Sequence, residues 1–191
     1  MRIVGGRFRG IGLTPVGKGD PAAHLRPTSD RVRESLFNVL TQGGFGDAVT
    51  DARVLDLFAG TGALGLEALS RGASAATFVD SGGAALGLLR ANIARTRTEA
   101  ATTVKAGDAT RLGRCAGPGF DLVFLDPPYG KGLGGRALAA ARADGWIAPG
   151  ALIVWEDNAP QSAPEGFRTL ETRRYGDTHV TFLRADGGTD P

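Results

Sequence analysis

The chain predicts an α/β fold built on a mostly parallel, doubly wound sheet, and three observations predict it. From Arg53 onward, short apolar runs alternate with helical stretches, the pattern of a parallel sheet covered on both faces. Asp56, Asp80, Asp108 and Asp126 stand at or just past the C-terminal ends of four successive runs, 24, 28 and 18 residues apart, and each gap suits one helix-and-strand crossover. A glycine loop, Gly60-x-Gly62-x-x-Gly65, joins the first run to the helix that follows it. Ligands of open parallel sheets bind along the carboxyl edge of the strands, so the acids and the loop predict one site there.

Taken in order, Arg2 to Leu13 reads as two short strands around Gly5-Gly6, with Arg7 and Arg9 alternating with Phe8 and Ile11. Val16 to Leu25, rich in Gly, Pro and Ala, predicts a mobile loop. Arg26-Pro27-Thr28-Ser29-Asp30 supplies a stop and several helix caps. A helix follows to about Leu40 with Val32, Leu36, Val39 and Leu40 on one face, and Gly43-Gly44-Phe45-Gly46 ends it. Strands are then predicted at Arg53–Phe58, Ala75–Val79, Thr102–Lys105, Phe120–Leu125 and Ala151–Glu156. The helices between them are Ala63–Arg71, Ala84–Arg95, a short one at Thr110–Cys115, and Gly135–Ala143. Phe167–Arg173 and His179–Arg184 close the chain as an antiparallel pair, before a disordered tail.

The 191 residues fit one domain with an appendage. Three parts are expected: a basic extension at 1–45, the main domain at 46–185, and the tail at 186–191. Residues 1–40 hold seven bases against three acids, a balance of +4, whereas the remainder holds fifteen against seventeen, or −2. A basic module on a mildly acidic body is suited to phosphates, and Arg2, Arg7, Arg9, Arg26, Arg31 and Arg33 are its candidates for RNA contact. No apolar run approaches the roughly 20 residues of a membrane span, and Met1 to Gly6 lacks the apolar core of a signal peptide. A single cysteine, Cys115, permits no internal disulfide and predicts a reducing, cytoplasmic home. The histidines, His24 and His179, form no ligand motif, so no metal is expected.

The chemistry concentrates in Asp126-Pro127-Pro128-Tyr129. The carboxylate can accept from an amino group, the prolines stiffen the turn so that carbonyls project in a fixed direction, and the Tyr129 ring can stack on a flat heterocycle. The four residues are therefore the catalytic candidates, for chemistry on the exocyclic amine of a planar base. Upstream, Gly60 and Gly62 let the backbone turn tightly and approach a ligand. A carboxylate at Asp56 would repel a pyrophosphate and suit a cationic or zwitterionic ligand. Asp80 suits a ribose diol, and Asp108 the exocyclic amine of an adenine. A positively charged sulfonium nucleoside with an amino-acid tail would satisfy all three. Phe58, Ala59 and Thr61 of the loop, Ala109 beside Asp108, and Asp126 itself complete the expected cofactor set.

Together these residues resemble class I S-adenosylmethionine-dependent methyltransferases, and the Asp126 tetrad resembles the signature of the branch that methylates amines: adenine N6, cytosine N4, guanine N2 or a glutamine amide. A closer resemblance is to the RsmD family. It rests on Arg2-Ile3-Val4-Gly5-Gly6, Arg9-Gly10, Arg26-Pro27-Thr28, Asp30 through Asn38, Val54 through Ala68, Asp126 through Tyr129, and Tyr175-Gly176-Asp177-Thr178. The resemblance implies a seven-stranded sheet whose last strand is antiparallel, with a small N-terminal hairpin-and-helix extension. It further implies methylation of a guanine N2 in 16S ribosomal RNA, within a small-subunit particle, by a monomer. Tyr129 stands where the family often has Phe, and Asp80 where many relatives carry Glu. A DNA or RNA adenine-N6 methyltransferase is the nearest alternative, followed by an NAD-dependent oxidoreductase and a non-catalytic RNA-binding protein.

Overall fold

A computed structural model describes residues 1–14 and 29–187; the expected loop at 16–25, Arg26, and the end of the tail lie outside the described residues. Helix α1 (Asp30–Gln42) begins where the Ser29 hydroxyl accepts the Val32 amide at 3.3 Å, and it stops at Gly43. It buries Leu36, Phe37, Val39 and Leu40, but Arg33 is buried in the same stripe and Val32 only half so. Strand β1 (Arg53–Leu57) leads through the glycine loop into α2 (Ala63–Ser70). Then come β2 (Ala75–Asp80), α3 (Gly83–Thr96), β3 (Thr102–Ala106), β4 (Phe120–Leu125), α4 (Leu133–Ala143), β5 (Ile147–Asp157), β6 (Phe167–Tyr175) and β7 (Thr178–Ala185).

These strands form one sheet in the order β3-β2-β1-β4-β5-β7-β6. The first five are parallel, and β7 runs antiparallel between β5 and β6. The order reverses between β1 and β4, because β2 lies on one side of β1 and β4 on the other. That reversal opens a crevice at the carboxyl edge, where ligands of such sheets sit. Alternate residues serve opposite faces. Val54, Leu122, Phe124 and Val154 pack with α1, α2 and α3, whereas Leu55, Leu57, Val123, Leu125 and Ile153 pack with α4. Burial on both faces explains why these strands read as continuous apolar runs.

Two expectations fail locally. Residues 110–115 form no helix. The Asp108 carboxylate takes the amide and the hydroxyl of Thr110, Gly113 adopts φ +69°, its carbonyl accepts the Trp146 indole N–H at 2.7 Å, and the Cys115 amide turns to the Asp144 carbonyl. Each contact draws the backbone away from helical pairing. The N-terminal segment, in turn, makes one bridge, Arg2 to Gly12, around a 3-10 turn at Gly6–Phe8 in place of two strands. The Ile3, Gly10 and Leu13 amides still bond across the segment, to the Ile11, Ile3 and Met1 carbonyls, but three others turn to α2: the Glu67 carboxylate accepts the Val4 and Gly5 amides at 2.8 Å each, and Ser70 accepts the Phe8 amide at 2.9 Å. Ile3 and Leu13 lie in the same core as α1 and α2, so this segment is packed into the main domain.

Gly65 sets how closely α2 approaches the sheet. A Cβ there would fall 2.4 Å from Phe78 and 3.1 Å from the Asp56 carboxylate. Gly65→Ala gains roughly 0.5–1 kcal/mol of helix propensity but overpacks a filled site at roughly 1–3 kcal/mol. Urea denaturation should therefore show net destabilisation.

Candidate active site

The crevice between β1 and β4 gathers most of the residues singled out in the sequence. Phe58, Gly60 and Gly62 have φ of 61°, 55° and 78°, so three of five consecutive residues occupy the left-handed region. For Phe58 that region is a strained one, of the kind that clusters at ligand sites. The surrounding bonds hold it: the Ala59 amide donates to the Val79 carbonyl at 3.0 Å, and the Gly62 amide to the Ala59 carbonyl at 2.7 Å. The Gly60 amide donates to one Asp80 oxygen at 2.8 Å, and the other Asp80 oxygen takes the Gly82 amide at 2.8 Å. A carboxylate has about four acceptor sites, so Asp80, half-buried at the strand end, keeps capacity for a diol.

Asp56 differs from its expected part. It is buried beneath the loop and accepts the Gly65 amide at 2.9 Å. Burial, partly offset by that bond and reinforced by the Asp80 charge, pushes its carboxyl up to about 8. It therefore ties β1 to the first turn of α2 chiefly as a neutral group. Asp108 is exposed, and the Thr110 amide and hydroxyl hold its carboxyl below the ordinary range. Ala109 beside it is buried in the second core.

Asp126 follows β4, with its amide 3.5 Å from the Leu57 carbonyl. Burial, then the nearby charges of Glu156, Asp56 and Asp157, raise its carboxyl well above the ordinary range. Pro127 is buried and Pro128 exposed. Tyr129 is half-buried, burial raises its phenol, and its hydroxyl is in hydrogen-bonding contact with Thr178 at the start of β7. Glu156 and Asp157, both buried at the end of β5, belong to this edge and were missed. The signal was present: Trp155-Glu156-Asp157 closes a fifth parallel strand with acids, by the same rule that selected the other four.

The candidate RNA residues are not all where their charge suggests. Arg33 is fully buried, pairing with Asp30 at 2.8 Å and lying 3.7 Å from Glu67, so it is a structural cation. Arg2, Arg7, Arg9 and Arg31 are exposed. Arg7 lies within, and Arg9 just after, the Gly6–Phe8 turn that Ser70 holds at the far end of α2, a helix length of roughly 12 Å from the glycine loop. Arg26 lies outside the described residues.

This edge is rich in carboxyls, which disfavours a phosphate-bearing ligand, and it combines a left-handed glycine loop with the half-buried Asp80 carboxylate, which keeps acceptor capacity. These features fit S-adenosylmethionine, and with the β3-β2-β1-β4-β5-β7-β6 sheet they define a class I methyltransferase that uses that donor. Comparison with known proteins agrees. The family described as conserved hypothetical protein 95 matches residues 1–184. Ribosomal RNA small subunit methyltransferase D of Escherichia coli K12 is 39% identical over 165 residues, covering 86% of this chain and 78% of that protein. The protein of the same name from Haemophilus influenzae is 35% identical over 181 residues, covering 92% and 89%. The solved structure of yhhF from Escherichia coli aligns with a TM-score of 0.81 at 34% identity over 98% of each chain. The chain belongs to this family, the RsmD methyltransferases.

The raised carboxyl of Asp56 carries a pH signature. The folded state holds the Asp56 proton more tightly than the unfolded chain does, so stability falls as pH rises from about 4 towards about 8. Asp56→Asn keeps an acceptor for Gly65 and has no proton to lose. Denaturant midpoints measured across that window should decline less in the variant than in the parent.

Proposed function

We propose that the chain transfers a methyl group to the exocyclic N2 of a guanine in 16S ribosomal RNA, acting as a cytoplasmic monomer on a small-subunit particle. The observation that carries the reading is Asp126, held with a raised carboxyl at the β1/β4 crevice between a strained glycine loop and the Tyr129 ring. The names of its relatives support ribosomal RNA as the substrate, and the single cysteine suits a reducing compartment.

In this reading Phe58, Ala59, Gly60, Thr61 and Gly62 line the cofactor, Asp80 takes its ribose, and Asp108 with Ala109 its adenine edge. When bound, S-adenosylmethionine supplies an electrophilic methyl that leaves its sulfur as the amine nitrogen bonds to it. The target base leaves its stack to reach the crevice, and Tyr129 supports its face. The guanine amine is a weak nucleophile because its lone pair is shared with the ring. Hydrogen bonds to Asp126 and the Pro127 carbonyl favour a more tetrahedral nitrogen and aim its lone pair, so positioning supplies much of the rate. The raised carboxyl also makes Asp126 a competent acceptor for the proton that the amine must lose, with Glu156 nearby to sustain that basicity. Arg2, Arg7, Arg9, Arg26 and Arg31 meet RNA phosphates, and Arg33 is left out of that set.

Labelled methyl transfer to small-subunit particles, free ribosomal RNA and DNA, followed by nucleoside identification, tests the reading. N2-methylguanosine in the particle is expected; label in adenine N6 or in DNA favours the rival. Asp126→Ala should lower kcat by at least about a hundredfold and leave the cofactor Kd nearly unchanged, whereas Asp80→Ala should raise that Kd about tenfold or more. Because the Asp126 proton is held to higher pH than usual, kcat/KM should rise with pH as it ionises. Asp126→Asn should flatten that limb.

A further inference from the structure

Asn92 is fully buried in α3, outside every motif, yet it bonds at both ends of its amide. Its Nδ2 donates to the Thr61 carbonyl at 2.9 Å, and its Oδ1 accepts the Thr14 amide at 2.7 Å. These partners are 31 and 78 residues away in sequence, and they belong to the glycine loop and the N-terminal segment. A buried amide in an apolar helix face, beside Leu89 and Ile93, is costly unless so satisfied. Thr61 sits between Gly60 and Gly62, both in the left-handed region, and the Thr61–Gly62 peptide is held at its N–H by the Ala59 carbonyl at 2.7 Å. The Asn92 donor holds the same peptide by its carbonyl.

The other end of the N-terminal segment reaches the same residue. The Met1 sulfur lies 4.0 Å from the Thr61 hydroxyl, and the Leu13 amide donates to the Met1 carbonyl at 3.1 Å. Between these ends, Glu67 takes the Val4 and Gly5 amides, and Ser70 takes the Phe8 amide while donating to the Gly5 carbonyl at 2.6 Å. The segment is thus clamped along α2 and converges at both ends on the loop from which α2 begins.

We infer that Asn92 is a positioning residue for the cofactor loop, and that through it the seating of residues 1–14 and the binding of S-adenosylmethionine strengthen each other. The inference rests on the reading that the Gly60–Gly62 loop holds the cofactor. It gives the basic N-terminal segment a second task besides RNA contact. Any ligand that seats the segment raises cofactor affinity, and by linkage the cofactor seats the segment equally.

Two measurements on the full chain test this. In calorimetric titration with S-adenosylmethionine, Asn92→Asp keeps an acceptor for Thr14 but sets a carboxylate against the Thr61 carbonyl, and the Kd should rise at least fivefold. Ser70→Ala loosens the clamp at the far end of α2. It should raise the Kd about twofold alone and by clearly less in an Asn92→Ala background, where only the Met1 contact still links the segment to Thr61. In hydrogen exchange, S-adenosylhomocysteine should slow the Val4, Gly5 and Thr14 amides of the parent chain and leave them unaltered in Asn92→Ala. Folded Asn92→Asp with the parental Kd, or parental amides indifferent to the ligand, overturns the inference. If Asn92→Asp does not fold, Ser70→Ala and the exchange experiment on the parent decide it. A parent chain that binds no S-adenosylmethionine at all instead overturns the cofactor reading beneath it.

Discussion

The buried carboxylate of Glu67 is the constraint on which the remaining arrangement depends. It accepts the Val4 and Gly5 amides and the Arg71 guanidinium, each at 2.8 Å, and it lies 3.7 Å from the Arg33 guanidinium. One fully buried group therefore joins the N-terminal segment, α1 and α2. A buried charge is tolerated only when its partners satisfy it, and removing one partner strands the others. This is why the basic extension cannot be an independent arm. It is held to the helix whose first turn grows out of the glycine loop, and any movement of that helix is felt at the crevice.

At the other end of α2 the sheet concentrates carboxyls in space that burial and crowding make hostile to ionisation. Asp56, Asp126 and Glu156 stand at the ends of adjacent parallel strands. Burial first, then the Asp80 charge at Asp56 and the charges of Glu156, Asp56 and Asp157 at Asp126, keep protons on these two aspartates that they would ordinarily have lost. The same crowding that makes these groups poor resting anions makes the crevice receptive to positive charge. A cationic methyl donor and an amine shedding a proton both relieve it. In the proposed function Asp56 stays neutral under the loop, and Asp126, at the edge, takes up the proton. In the proposed mechanism the two aspartates differ in task because Asp56 is buried under the Gly65 amide, whereas Asp126 stands at the carboxyl edge of the sheet.

Much of this was legible in the sequence, for identifiable reasons. Strands buried on both faces announce themselves as unbroken apolar runs, and β4 spans the predicted Phe120–Leu125. Ser29 and Gly43 bracket α1 because capping is a local matter. What escaped depended on partners far away in sequence. Thr110 to Cys115 carries a helical pattern, but Trp146 and Asp144 claim its backbone. The strands expected around Gly5-Gly6 lose the Val4, Gly5 and Phe8 donors to Glu67 and Ser70, which leaves only a short paired stretch. Arg33 reads as one cation of a basic patch until Glu67, 34 positions on, explains its burial. Asn92 has no sequence signal, since an asparagine within a helix is ordinary until both ends of its amide are traced.

The most direct test of the whole account is mass-spectrometric nucleoside mapping of 16S ribosomal RNA from cells that lack this chain. Complementation with the parent chain and with Asp126→Ala completes the comparison. The account predicts that one N2-methylguanosine disappears with the gene, returns with the parent, and stays absent with the variant. An unchanged set of modified guanines in the deletion, or full restoration by Asp126→Ala, would contradict it.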